Sequence, residues 1–268
     1  MRINTNINGM IATNQMAKNT ALAGNSMEKL STGLRITKAG DDAAGLAVSE
    51  KMRAQIRGME QAERNVQDGI SMVQTAEGAL EEAGNIAQRM RELGVQGGND
   101  TLSADDREKI NAELEQLGEE MAKIAEETKF NGNALLDGGA DFTIQAGAND
   151  ETRVITMANL TTISGNVAGL TVDTNADAQT TVDTIQDALD DINEERAKLG
   201  AMQNRLEYTS SNLTTSTENL TAAESRIRDV DVAKEMVKLS KLNILNQSSQ
   251  AMVSQAKQQP EQVTQLLR

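Results

Sequence analysis

The side chains able to do chemistry are few in kind. The 268 residues include 40 Asp and Glu and 26 Lys and Arg, but no His and no Cys. Thiolate nucleophiles, disulfides, imidazole acid–base chemistry and Cys- or His-based metal sites are thereby excluded. Carboxylates remain, able in principle to work as an acid–base pair or as ligands of a hard cation. One adjacent pair, in Lys38-Ala39-Gly40-Asp41-Asp42, invites that reading. No further oxygen ligands follow it at calcium-loop spacing. The pair reads instead as an N-cap, a carboxylate at the positive end of a helix dipole. No acids elsewhere form a recognisable pocket pattern. The expectation is no enzyme, with no catalytic, cofactor-binding or metal residue.

The helix those aspartates would cap is the main element of the chain. From Gly45 to Gly94 apolar or small residues recur in steps of three and four, interrupted only at Gln55: Val48, Met52, Met59, Ala62, Val66, Gly69, Val73, Ala76, Leu80, Ala83, Ala87 and Met90. This is the repeat that keeps one helix seam against a partner. A single helix of that length would run roughly 75 Å at 1.5 Å per residue. It should stop at Gly97-Gly98-Asn99-Asp100. Ser103, with Asp106 three residues on, should cap the next helix, whose stripe is Ile110, Leu114, Leu117, Met121 and Ile124. Residues 141 to 157 alternate apolar and polar types around Gly147-Ala148-Asn149-Asp150, the mark of a β-hairpin. The remainder to Asn175 reads as loop or short strands. A helical period returns at Val182, with Ile or Leu at 185, 192, 199, 206, 213 and 220.

Composition fits narrow helix seams. Aromatics are 1% against a hydrophobic fraction of 38%, and Pro260 is the only proline. The net charge of -14 argues against nucleic acid and anionic membranes as partners. No stretch approaches the roughly 20 apolar residues of a membrane span, so no membrane insertion is expected. Residues 1–8 lack the apolar core of a secretory signal.

The two ends differ from the middle. Residues 3–17 and 242–256 carry no charge. Apolar residues fall at helical spacing in both: Ile3, Ile7, Met10 and Ile11, continued by Leu30 and Leu34, and then Leu242, Leu245, Met252, Val263, Leu266 and Leu267. Helices apolar on one side and uncharged on the others suit packing among copies of themselves. Such ends should be weakly folded until they meet partners. The expected fold is mainly α: paired terminal helices, an antiparallel bundle of three or four helices, and a small β-hairpin region at about 134–178. Residues 1–42 and 229–268 would form one part and 43–228 the other. Rods with paired ends can associate head-to-tail without closing.

Several motifs resemble those of bacterial flagellin, over nearly the whole chain. They include Met27-Glu28-Lys29-Leu30-Ser31-Thr32-Gly33-Leu34-Arg35-Ile36 and Ala39-Gly40-Asp41-Asp42-Ala43-Ala44-Gly45-Leu46-Ala47. Others are Gln88-Arg89-Met90-Arg91-Glu92-Leu93, Phe130-Asn131-Gly132, Ser225-Arg226-Ile227-Arg228-Asp229-Val230-Asp231 and the terminal Leu266-Leu267-Arg268. The resemblance implies a short form that lacks the large variable outer domain. It implies a subunit of the flagellar filament, a helical homopolymer serving motility, with terminal helices in an inner tube and the bundle in an outer tube. Similar proteins leave the cell unfolded through the flagellar type III apparatus, so an extracellular filament is expected. The implied partners are copies of itself, an export chaperone, a filament cap protein, hook–filament junction proteins and a host Toll-like receptor. Receptor or subunit contacts would fall on Arg89, Leu93 and Glu113. A hook–filament junction protein, which shares the terminal motifs, is the alternative.

Overall fold

The computed structural model describes residues 6–138 and 141–266, and side chains as far as residue 258. Six helices and four short strands follow in chain order. They are α1 (Ile7–Thr32), α2 (Ala43–Gly97), α3 (Ala104–Glu127), β1 (Lys129–Phe130), β2 (Asn133–Ala134), β3 (Asp141–Gln145), β4 (Thr152–Thr156), α4 (Leu160–Val167), α5 (Asn175–Arg228) and α6 (Val232–Leu266). The fold is mainly α, as the periodicities predict, with two small antiparallel hairpins; β3–β4 is the expected one, and β1–β2 around Asn131-Gly132 is additional. Two compact units share these elements: residues 1–54 with 219–268, and residues 55–218.

In the second unit, local sequence and packing agree. The α2 stripe is buried from Met59 through Ala62, Val66, Val73, Ala76, Leu80, Ala83 and Ala87 to Met90. Ile185, Ile192, Leu199, Leu206 and Leu213 are the buried seam of α5, one every seven residues. Ser103 and Asp106 form the expected reciprocal capping box on α3, with the Ser103 hydroxyl 2.7 Å from the Asp106 carboxylate. The hairpin β3–β4 pairs Asp141 with Thr156 and Gln145 with Thr152. It lies against α2 at two glycines. A Cβ on Gly69 would stand 2.1 Å from the Ile144 side chain, and one on Gly58 2.9 Å from Ala148. Asn65 fixes the approach by donating to the Gln145 carbonyl at 3.2 Å.

Two expectations need correction here. The stretch after the hairpin is not loop or strand but contains α4. Its Thr, Ile and Val suggest a strand, yet Asn159 caps it by accepting from the Thr162 amide. Leu160, Ile163, Ser164 and Val167 then bury one face at helical spacing. Similarly, α5 starts seven residues before Val182, at Asn175. There Thr174 and Asp177 exchange side-chain and backbone hydrogen bonds as a second capping box.

In the first unit, α1 is capped at its start by Asn6, whose side chain accepts from the Gly9 amide, and at its end by Gly33 in the left-handed region, φ 71°. Leu34 therefore lies beyond α1, although its spacing continues the α1 pattern. It forms an isolated antiparallel bridge with Asp229. The two aspartates considered above divide their work. Asp42 caps α2 by accepting from the Gly45 amide at 2.9 Å. Asp41 accepts from the Thr37 and Lys38 amides and the Thr37 hydroxyl, which hold its carboxyl below the usual range. Neither stands in a cluster of three or more metal-capable side chains among the described residues.

Candidate assembly surface

The helices α1 and α6 pair antiparallel. The Asn6 side-chain amide donates to the Ala256 carbonyl at 2.6 Å, and the Val230 amide donates to the Gly33 carbonyl at 3.0 Å. Each helix turns a strict heptad seam toward the other. In α1 it is Gly9, Ala12, Met16, Asn19, Ala23, Ser26 and Leu30. In α6 it is Glu235, Leu239, Leu242, Asn246, Ser249, Val253 and Ala256. This seam is largely small and polar. Asn19 and Ser26 are 4% and 1% exposed, and Asn19 reaches Ser249 at 3.5 Å.

Most of the large apolar side chains point the other way. Ile7, Met10, Ile11, Leu22 and Met27 are exposed on α1, and Val232, Met236, Val237, Ile244, Leu245 and Met252 on α6. Ile11 and Met252 are 60% and 62% exposed and line one open groove with Leu245. Among the described residues, every exposed large apolar side chain belongs to the first unit except Val95, Val154 and Tyr208. A pair with most of its apolar bulk outside and amides in its seam is unlike a soluble coiled coil. Of the residues expected to build the inner tube, Ile7, Met10, Ile11, Leu245 and Met252 are exposed, Leu30 and Leu34 half-buried, and Leu242 buried. Ile3 and Leu267, and the side chains of Val263 and Leu266, lie outside the described residues. Sequence reasoning missed Leu22, Met236, Val237 and Ile244. The stripe traced through Leu245 and Met252 is the outward one, and the inward seam passes through Leu239 and Val253.

Charge is also divided. The first unit is net basic and the second strongly acidic, so the chain-wide figure averages two unlike surfaces. The second unit brings together Arg89 and Glu113, half-exposed on α2 and α3, at 2.9 Å and 3.2 Å. Arg89 also meets Glu92 at 3.1 Å, and these two carboxylates hold its guanidinium still more firmly protonated. Leu93, one turn further, is 2% exposed and part of the core.

Residues 3–141 match the family described as the bacterial flagellin N-terminal helical region, and residues 182–267 its C-terminal helical region. The chain belongs to the bacterial flagellin family. It is 52% identical to the flagellin of Halalkalibacterium halodurans and 47% identical to that of Bacillus subtilis strain 168, with all of each chain covered. A crystal structure of Bacillus cereus flagellin matches 60% of this chain and 94% of its own, at 34% identity and a TM-score of 0.52. A putative flagellar hook-associated protein from Vibrio parahaemolyticus matches 70% of this chain and all of its own, with a TM-score of 0.61. Its identity is only 12%, so that likeness speaks for the fold alone and the junction-protein alternative is not favoured. As a flagellin, the chain is a structural subunit of the flagellar filament, not an enzyme, and polymerises with copies of itself. No helix among the described residues is long and apolar enough to cross a membrane.

Proposed function

We propose that this flagellin polymerises through the outward faces of α1 and α6, which become the inner tube of the filament. The observation that carries this reading is the inverted pair: Ile7, Met10, Ile11, Leu245 and Met252 stay in water while Asn19 and Ser26 are buried. Neighbouring copies supply the apolar cover that the pair does not give itself. Residues 1–42 and 229–268 form the inner part in this reading, and 43–228 the outer part. Acidic outer parts repel one another, so salt should promote growth.

The test is truncation. Chains lacking 1–40 or 230–268 should remain soluble and folded in their second unit, yet form no filaments in high salt, by sedimentation and electron microscopy. Filaments from both truncated chains would overturn the reading.

The same faces need protection before assembly. We assign their cover to an export chaperone on the C-terminal segment during passage through the flagellar type III apparatus. Growth beneath a cap protein, from a base of hook–filament junction proteins, completes the reading. A host Toll-like receptor would take the free monomer at Arg89 and Glu113. Leu93, being buried, would contribute there only through the packing of α2.

A further inference from the structure

The chain has 13 methionines, and the structure divides the twelve among its described residues by exposure. Met10, Met27, Met236 and Met252 are 57%, 59%, 50% and 62% exposed, all on the outward faces of α1 and α6. Met59, Met72, Met90, Met121 and Met157 of the second unit are at most 9% exposed. Met16, Met52 and Met202 fall between. Among the described residues, the methionines most exposed to a dissolved oxidant thus sit on the outward faces of α1 and α6, and the core methionines are buried.

We propose that Met10, Met27, Met236 and Met252 are a modification site, at which oxidation by a peroxide switches off assembly of the free subunit. The reaction balances without any bound group. A thioether lone pair attacks one oxygen of hydrogen peroxide, the O–O bond breaks and an S–O bond forms. Sulfur loses two electrons, the peroxide is reduced, and water leaves. Methionine sulfoxide is polar and chiral where the thioether was apolar and adaptable. A sulfoxide at Met252 would bring that dipole into the groove shared with Ile11 and Leu245. The second unit, its sulfurs shielded, stays folded. Incorporation into a filament covers the same four sulfurs, so the switch acts on subunits and spares the polymer. The inference rests on the assembly faces proposed above.

Dissociated full-length subunits treated with dilute hydrogen peroxide, then mapped by peptide mass spectrometry and returned to assembly conditions, provide the test. The four exposed methionines should oxidise roughly tenfold faster than Met59, Met72, Met90, Met121 and Met157. The critical concentration for assembly should rise by about tenfold, with the melt of the second unit unchanged. Methionine sulfoxide reductase should restore assembly. The quadruple variant Met10→Leu, Met27→Leu, Met236→Leu, Met252→Leu should lose no assembly to peroxide, measured against its own untreated level. Unchanged assembly of fully oxidised wild type would overturn the proposal, as would peroxide loss of assembly in the quadruple variant. Should that variant fail to assemble untreated, reductase rescue of the wild type decides: recovery supports the switch and no recovery refutes it. Untreated wild type is the control, since its failure to polymerise would count against the assembly faces and not against the sulfurs.

Discussion

Two regions built from the same short alphabet of Leu, Ile, Val, Met and Ala behave in opposite ways. In the second unit the heptad seams of α2 and α5 take Leu80, Met90, Ile185 and Ile192 out of water almost completely. In the first unit the seam between α1 and α6 takes in Asn19, Ser26, Asn246 and Ser249, and leaves Met10, Ile11, Ile244 and Met252 outside. Hydrophobic periodicity alone does not separate the two, because both ends are periodic. What separates them is which face the partner helix covers. The first arrangement yields a body stable by itself. The second leaves a surface that, in the assembly proposed above, other copies would bury.

The contrast is broken or sharpened most strongly by amide hydrogen exchange on the dilute monomer. Amides of α1 and of α6 should exchange on the order of a thousandfold faster than those of α2 between Ala62 and Met90, because opening the terminal pair uncovers little apolar area. In filaments that difference should largely vanish. Equal protection in the monomer would show that the terminal pair is stable unaided. A substitution in each region gives the next largest effect. Leu80→Ala should lower the stability of the second unit by about 2–5 kcal/mol, read from a thermal or denaturant melt. Leu245→Ala, at an exposed site, should leave that melt within roughly 0.5 kcal/mol of wild type while weakening polymerisation. A melt shifted equally by both would erase the distinction.

Much of this was legible in the sequence, for reasons that differ by element. The α2 stripe, the α3 capping box, the turn-flanked hairpin and the every-seventh Ile or Leu of α5 each combine a local signal with the burial that rewards it. The helix α4 was not legible as such, since Thr161, Thr162, Ile163 and Val167 favour strands, and the Asn159 cap outweighs them only with Leu160, Ile163 and Val167 buried together. The Thr174–Asp177 box that starts α5 has the same form as the Ser103–Asp106 box and could have been read. The inward seam of the terminal pair is harder to read from sequence. Leu242 and Leu245 lie three apart and both look like seam positions, yet one is buried and the other is not. Only the position of α1, fixed by contacts such as Asn6 to Ala256, decides between them. The opposite charge of the two units was available from counting residues by region, and a chain-wide sum conceals it.

A smaller effect probes the polar seam itself. Asn19 is buried with only a long contact to Ser249 at 3.5 Å and one from Gln15 at 3.4 Å. A polar residue at such a position fixes register at some cost in stability. Asn19→Leu should therefore make the isolated pair more protected from exchange, by about 1 kcal/mol, while loosening its register. The readout is slower exchange along α1 together with fewer or less regular filaments. Faster exchange would mean that Asn19 stabilises the pair outright.

The least effect is expected at an end of the self-sufficient unit. Ser103→Ala removes the hydroxyl that accepts from the Asp106 amide and should cost about 1 kcal/mol, localised to the first turn of α3. The same box makes that turn sensitive to acid. Hydrogen bonds from the Ser103 hydroxyl and amide hold the Asp106 carboxyl below its ordinary value of 3.8. A depressed carboxyl contributes stability above its unfolded value and loses it as the pH falls through the folded one. The first turn of α3 should thus fray on acidification below 3.8, visible as faster exchange of the amides at 104–107. Asp106→Asn should flatten that dependence, because the amide keeps a neutral acceptor at every pH. The terminal pair offers a matched control in Asp231, whose carboxyl is lowered by the Lys234 amide at the start of α6. If α3 is held mainly by Ile110, Leu114 and Met121, its loss on acidification stays within one turn. At α6, where little large apolar area is buried, the same loss should spread further along the helix.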